Sequence, residues 1–119
     1  MAAPNMVNIT SIVGKTSVQS VGTSATAIVA NSAASGKVFK VNSLNVSNID
    51  GVNAADITVD VFRSSTSYKL ASTIMVPSDA TLVVISKETA IYLEEGDSIR
   101  LSASAAGDLQ AICSYEEIS

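Results

Sequence analysis

The stretch Asp56-Ile-Thr-Val-Asp-Val-Phe-Arg63 (DITVDVFR) alternates apolar and polar side chains along its whole length. Successive side chains of a β-strand point to opposite faces, so this alternation predicts a strand with one buried face. The apolar face carries three β-branched residues: Ile57, Val59 and Val61. The opposite face is polar apart from one aromatic: Asp56, Thr58, Asp60 and Phe62. We expect the two aspartates there to be solvated, as we do Glu116 and Glu117 near the C-terminus.

The same period of two recurs further along the chain. Segment 98–104 places Ile99, Leu101 and Ala103 on one face, and segment 109–115 does the same for Leu109, Ala111, Cys113 and Tyr115. Leu82–Ile85 is a continuous apolar run, which is typical of a strand covered on both faces. Weaker patterns predict further strands at Val7–Val13, Val18–Val21, Thr26–Ala30 and Tyr68–Val76.

Segment 37–49 breaks the alternation at one point. Phe39 and Val41 share one parity, whereas Leu44 and Val46 have the other. An extra residue near Asn42-Ser43 would bring both pairs to the same face, and a β-bulge supplies such a residue. We therefore predict one long, bent strand here, or two strands that cross a corner.

Turn-forming residues separate these runs at about the 8–12-residue spacing of sandwiches and barrels. They are Ser35-Gly36, Asp50-Gly51, Ser64-Ser65, Pro77-Ser78-Asp79, Glu95-Gly96-Asp97 and Gly107-Asp108. No segment has a sustained helical period. The prediction is an all-β protein, an antiparallel two-sheet β-sandwich of seven to nine short strands, for which a jelly roll is one arrangement that fits. Residues 7–119 would form this single domain, and residues 1–6 an N-terminal arm.

The composition limits the classes of function. The 119 residues include 15% charged and 4% aromatic residues, and the formal net charge is −4. The seven basic residues are scattered, so neither a nucleic-acid footprint nor a basic membrane patch is expected. The N-terminus has no signal-peptide pattern, and the apolar runs are too short to cross a bilayer. A surface this poor in charge suits packing against other protein.

Catalytic and metal chemistry find little support in the sequence. Histidine is absent, which excludes Ser-His and Cys-His nucleophile pairs and ordinary zinc sites. Cys113 falls on an apolar strand face and is expected in the core. Glu94, Glu95 and Asp97 could offer oxygens to calcium, but the local pattern favours a hairpin corner with Gly96 at positive φ. We predict no catalytic, cofactor-binding or metal-binding residues.

Exposed aromatic residues leave two further hypotheses. A sugar site would need exposed aromatic side chains, which Tyr68, Tyr92 and Tyr115 could supply. Phe62 points away from Val59 and Val61, so either the second face of its strand is covered or Phe62 lies in a subunit contact. We favour the subunit contact, since the cores of interfaces are enriched in aromatic residues.

Four stretches carry a resemblance to a known group: Asp50–Asp60, Val76–Thr81, Ile91–Leu101 and Ala111–Ser119. They look like parts of small virion structural proteins from tailed bacteriophages, notably those of marine cyanobacteria. The resemblance extends from about Lys37 to the C-terminus. It implies a non-enzymatic virion protein that is made in the host cytoplasm and acts in many copies. That group has no catalytic or ligand residue to transfer to this chain.

The leading hypothesis is a capsid decoration, or cement, protein that clamps adjacent subunits of the major capsid protein. The alternatives are a neck, tail or baseplate component, and a virion-surface module that binds the host or a glycan. We expect a homo-oligomer, with a trimer as the first guess, whose partners are the major capsid protein or other virion proteins. The predicted interface residues are Met1, Ala2, Ala3, Pro4, Asn5, Met6 and Phe62.

Overall fold

The computed structural model describes residues 4, 5 and 7–119, and β-strands are its main secondary structure. A single 3-10 turn, Lys87–Thr89, interrupts them. The nine strands are β1 Ile12–Ser20, β2 Thr26–Ala30, β3 Val38–Asn48, β4 Ala55–Arg63, β5 Thr66–Val76, β6 Thr81–Ile85, β7 Ile91–Leu93, β8 Ser98–Ala103 and β9 Leu109–Ile118. In the described part of the chain, no helix is long and apolar enough to cross a membrane.

The strands form two antiparallel sheets that pack face to face. Sheet A has the order β1-β9-β3-β6, and the short β7 also pairs with β3, beside β6. Sheet B has the order β2-β8-β4-β5. The predicted antiparallel β-sandwich is therefore confirmed, and its nine strands lie within the predicted number.

The core lies between the two sheets and uses the apolar faces that the alternation predicts. Ile57 and Val59 on β4 are fully buried, and Val61 packs against them at the edge of the core. β8 and β9 contribute the other predicted residues: Ile99, Leu101, Ala103, Leu109, Ala111 and Cys113. Burial of a Leu, Ile or Val side chain stabilises the fold by about 1.5–3 kcal/mol.

The predicted bulge in β3 is present. Val41 pairs with Tyr115 and Ser43 pairs with Ser114, so Asn42 is the extra residue on the β3 side. Phe39 and Val41 before the bulge and Leu44 and Val46 after it are all buried. β3 is thus one continuous strand, and it contacts β9 on one side and both β6 and β7 on the other.

Two strand predictions were wrong in detail. Segments 7–13 and 18–21 are not separate strands, because a single strand, β1, runs from Ile12 to Ser20. Leu82–Ile85 is not covered on both faces. It belongs to β6 at the edge of sheet A, where Leu82 and Val84 pack against the core while Val83 is 58% exposed. A continuous apolar run does not distinguish a buried strand from an edge strand whose outer face is apolar.

The expectation of solvated charges was wrong for Asp60, whose exposure is 3%. Arg100, its cross-strand neighbour on β8, donates hydrogen bonds of 3.0 and 3.2 Å to the two carboxylate oxygens. The guanidinium also lies 3.9 Å from the centre of the Phe62 ring. Burial alone would raise the pKa of Asp60, but the hydrogen bonds and charge of Arg100 outweigh it and lower that pKa.

Glu117 is likewise mostly covered, since Lys15 and Lys37 both bind its carboxylate. Burial works against ionisation there too, but the hydrogen bonds from the two ammonium groups leave the pKa of Glu117 lowered. The side chains of neighbouring cationic residues therefore cover Asp60 and Glu117 and shield them from solvent. The sequence alternation shows the face on which each side chain lies, but it does not show its neighbours.

The predicted turns lie between strands, and several require left-handed backbone. Gly36, Gly96 and Gly107 have φ of 72°, 89° and 84°. Ser64 and Ser65 have φ of 52° and 60°, the signature of a two-residue hairpin between β4 and β5. Of the predicted arm, Pro4 and Asn5 are described and lie outside the strands, whereas Met1, Ala2, Ala3 and Met6 lie outside the described residues.

Deletion of Asn42 tests the bulge. Without the extra residue, one half of β3 would turn its apolar side chains to solvent, so we expect the cooperative thermal transition to be lost. The substitution Asn42→Ala keeps the residue count and should shift the melting temperature by only a few degrees. Circular dichroism during heating measures both variants. A deletion variant that melts like the wild type would contradict this account of β3.

Candidate functional site

Three interacting charges, Arg63, Glu94 and Asp97, lie where β4 ends beside the β7–β8 turn. Arg63 donates from Nε to Oδ1 of Asp97 over 2.8 Å and from Nη2 to Oδ2 over 2.5 Å. The same Nη2 lies 2.8 Å from Oε2 of Glu94. This bidentate contact between Arg63 and Asp97 is the geometry in which guanidinium and carboxylate bind most strongly.

The sharp turn of the chain explains why Asp97 faces Arg63. Leu93 ends β7, Gly96 has positive φ, and the amide of Asp97 donates to the carbonyl of Glu94 over 3.0 Å. In return, the carboxylate of Asp97 accepts the amide hydrogen of Glu94 over 2.8 Å. The predicted sheet corner is confirmed, and its aspartate is buried, with 2% exposure.

The loop between β2 and β3 completes this corner. The carboxylate of Glu95 accepts the amide hydrogen of Gly36 over 3.0 Å. The buried Asn31 donates its side-chain amide to the carbonyls of Lys37 and Leu93 over 2.9 and 3.1 Å. The corner therefore connects the end of β4 to two loops through charged and amide hydrogen bonds.

These contacts decide what the corner can do chemically. The hydrogen bonds from Arg63 outweigh the effect of burial and lower the pKa of Asp97, while Asp97 in turn raises the pKa of Arg63. A depression of about 350 Å³ opens above Arg63, Glu94 and Asp97, but their charges already bind one another. Within residues 4, 5 and 7–119, no cluster of three or more Cys, Asp or Glu side chains could hold a metal ion. The arrangement supports a structural role for the corner.

Two of the three tyrosines considered for sugar binding lie on one groove. Tyr68 on β5 and Tyr92 on β7 line a groove of about 320 Å³ together with Arg63 and Leu70. Tyr115 does not join them, because it packs at the core with its ring 5.4 Å from that of Phe39. Sequence reasoning named both groove tyrosines but could not show that β5 and β7 are neighbours across the two sheets.

Cys113 lies where the sequence predicts. Its side chain is fully buried between the sheets, and burial raises the pKa of its thiol to about 11. At neutral pH the thiol is therefore protonated and out of reach of solutes. This is the environment of a core cysteine, not of a nucleophile.

Comparison with known proteins identifies a shared fold. No protein-family model and no curated protein matches the chain. A solved structure from the Bacillus endospore appendages, a family of disulfide-linked pili, aligns over 100% of this chain and 96% of its own, with a TM-score of 0.55 and 14% identity. Two structures of a pentameric capsid protein from metagenomic phage sequences align over 96% of this chain and 63% and 65% of theirs, with TM-scores of 0.40 and 0.39 at 16% identity.

The substitution Asp97→Asn tests the corner. Because the folded-state pKa of Asp97 is lowered, its ionised form stabilises the fold above the unfolded pKa of about 3.9, and this stability is lost as pH falls through the folded pKa. We expect the free energy of unfolding of the variant to be about 2 kcal/mol lower at pH 7. Below pH 7 it should decrease less with falling pH than that of the wild type. Denaturant titrations at a series of pH values from 7 downward measure both effects.

The matched control is Glu94→Gln, which alters the more exposed carboxylate on the same guanidinium. We expect it to change the free energy of unfolding by less than about 0.5 kcal/mol. Equal effects of the two substitutions at pH 7 would contradict the role assigned to Asp97.

Cys113 gives an independent test of the core. A thiol reagent such as DTNB should modify it more slowly, by a factor of roughly a thousand, in the folded protein than in denaturant, because modification requires opening of the core. Absorbance of the released thiolate follows the reaction. Rapid modification of the folded protein would show that the sandwich opens readily at β9.

Proposed function

We propose that this chain is a non-enzymatic structural protein of a bacteriophage virion, and specifically a capsid decoration protein that clamps major capsid subunits. The observation that carries the proposal is the outer face of sheet A. Val18, Ile112, Asn45 and Val83 lie side by side across β1, β9, β3 and β6. The neighbouring outward residues are polar and uncharged: Thr16, Ser20, Ser43, Ser47, Thr81, Gln110 and Ser114.

A mostly apolar central row with no charge in the two rows beside it is suited to contact with another protein surface. On the opposite side of the molecule, the outer face of sheet B carries the Asp60–Arg100 pair and Phe62. The sequence resemblance to small phage virion proteins supports the same role. A decoration protein would reside in the virion after synthesis in the host cytoplasm.

We infer further that the sandwich is a jelly roll. If the short β7 is set aside, eight strands form two four-stranded sheets, with orders β1-β9-β3-β6 and β2-β8-β4-β5. The first and last strands, β1 and β9, pair in sheet A, and β2 pairs with β8 in sheet B. The inner strands continue this alternation, with β3 paired to β6 in sheet A and β4 to β5 in sheet B. This is the double Greek-key arrangement found in viral capsid domains and lectins.

The fold neighbour from the Bacillus endospore appendages belongs to a family of disulfide-linked pili, which supports an assembling role for this chain. In this chain the single cysteine is buried, so its copies would associate without a disulfide. We propose a homo-oligomer in the virion, with a trimer as the starting assumption.

We propose that residues 1–6 and Phe62 contact neighbouring virion subunits. Among the described residues, Pro4 and Asn5 make no hydrogen bond to the sheets; Asn5 accepts from the nearby Val7 and Asn8 amides at 2.9 and 3.0 Å. Phe62 lies on the outer face of β4, half-buried under Arg100. A neighbouring subunit could therefore cover both without disturbing the core.

One observation favours a second function, that of a virion-surface module that binds a glycan. The two exposed tyrosines on the 320 Å³ groove present aromatic faces on which a sugar ring could stack. A glycan array probed with the wild type and with a Tyr68→Ala/Tyr92→Ala variant separates this function from decoration.

Deletion of residues 1–6 tests the main proposal. The domain should stay folded, but its affinity for capsids should fall by at least about tenfold, equivalent to 1.4 kcal/mol. Bound copies per particle, counted by image reconstruction, measure the loss, and capsids without the protein should release DNA at a lower temperature. The substitution Val52→Asp in the exposed β3–β4 loop serves as a control and should bind normally.

Six or twelve copies per particle, rather than hundreds, would overturn the decoration role and favour a neck or tail component. Normal binding by the truncated protein would overturn the role of the arm.

A further inference from the structure

The exposed large hydrophobic side chains of the described residues concentrate on two opposite sides of the sandwich. Nine of the thirteen lie on edge strands. Three are on β1: Ile12, Val13 and Val18. Six are on β5, β6 and β7: Tyr68, Leu70, Ile74, Met75, Val83 and Tyr92.

Neither side carries an unpaired charge on its edge strands. On β1 the one ionisable side chain, Lys15, binds Glu117 over 3.0 Å. On β5 the one charged side chain, Lys69, lies 3.8 Å from Asp60, and β6 and β7 have none. Proteins ordinarily protect open edges with charge or proline, because an open edge offers unpaired amide and carbonyl groups to another chain. Such protection is sparse here, because each side has one edge-strand lysine and that lysine is already paired with a carboxylate.

The two sides differ in how the sheets meet. At the β1 side, Ser17 and Gln19 donate side-chain hydrogen bonds of 2.8 and 3.1 Å to the carbonyls of Ile28 and Ala27 on β2, so the sheets are bonded together there. Between β5 and β6 the described residues make no such bonds. A cleft of about 440 Å³ lies there instead, and its lining, 70–72, 74 and 82–84, is uncharged. We call this the open side, defined by β5, β6 and β7.

We propose that copies of this chain associate head to tail, with the β1 side of one copy seated against the open side of the next. The two sides match in being apolar and free of unpaired charge, and they lie on opposite edges of one molecule. Pairing of β1 with β6 of the next copy would make sheet A continuous. It would also align Val18 and Val83, which end the row Val18, Ile112, Asn45 and Val83 across sheet A.

Contact between two different surfaces generates a closed ring or an open filament. A ring of three would satisfy the trimer assumed for the virion protein. The biological setting of this contact rests on the proposed function, but the contact itself is a property of the chain in solution. The two can therefore fail separately.

The test uses two double variants of the full chain. Ile12→Asp/Val18→Asp disables the β1 side, and Tyr68→Asp/Val83→Asp disables the open side, since each places charge in a contact that excludes water. The control is Ile49→Asp/Val52→Asp, which alters two exposed apolar residues outside both sides. Circular dichroism checks that all variants are folded, and sedimentation velocity measures mass.

We expect the wild type and the control to form species larger than a dimer, and each disabled variant alone to be monomeric. An equimolar mixture of the two disabled variants retains one intact contact, so its mass should be twice that of the monomer. A wild type that is monomeric at its highest soluble concentration, or a mixture that stays monomeric, would overturn the head-to-tail contact.

Incorporation of a monomeric wild type into virions would overturn this inference and leave the proposed function standing. Assembly in solution by a protein that is absent from virions would do the reverse.

Discussion

The extra residue in β3 is the constraint on which the rest of the sandwich depends. β3 is the strand of sheet A that pairs with three others, β9, β6 and β7. A regular strand would turn either Phe39 and Val41 or Leu44 and Val46 away from sheet B, since a shift of one residue reverses every side chain. By placing Asn42 outside the pairing, the bulge buries both pairs and also bends the strand. One core can then extend along the full length of the sheets.

Buried polar side chains satisfy the backbone at both ends of this core. Loops that cross the ends of a sandwich bring amide and carbonyl groups out of water, and each such group needs a partner. Asn31 supplies hydrogen bonds at one end, next to Asp97. Asn48 does so at the other end, where its side-chain amide binds the carbonyls of Asn53 and Val76, each over 2.9 Å. These asparagines hold loops in place, which explains how short connections can be ordered without disulfides.

The charge distribution links stability to the proposed function. Several of the few charged residues are used within the fold, in the pairs Arg63–Asp97, Arg100–Asp60 and Lys15–Glu117. Large areas of the outer surface are thereby left neutral, including the middle of sheet A and both of its edges. A neutral, partly apolar surface is costly for a monomer and favourable for a subunit that is covered by neighbours. The neutral surface that results from this pairing of charges thus supports both the virion role and the head-to-tail contact.

The sequence by itself determined the fold class, the buried faces of β4, β8 and β9, the turns and the bulge. Each depends on local information: side-chain parity, glycine at positive φ, and the spacing of turn residues. It also identified the β7–β8 corner as a turn, because Gly96 and Asp97 suffice for that.

Only the tertiary structure decided which strands are neighbours, because pairing between distant segments produces no pattern within either segment. Arg63 and Asp97 are 34 positions apart, and Asp60 and Arg100 are 40 apart. No alternation pattern could show that Asp60 is buried under its partner or that Leu82–Ile85 forms an exposed edge. The β1 side and the open side could not be predicted for the same reason. An edge is defined by the strand that is missing beside it, which depends on the order of strands in space and not on the sequence of any one strand.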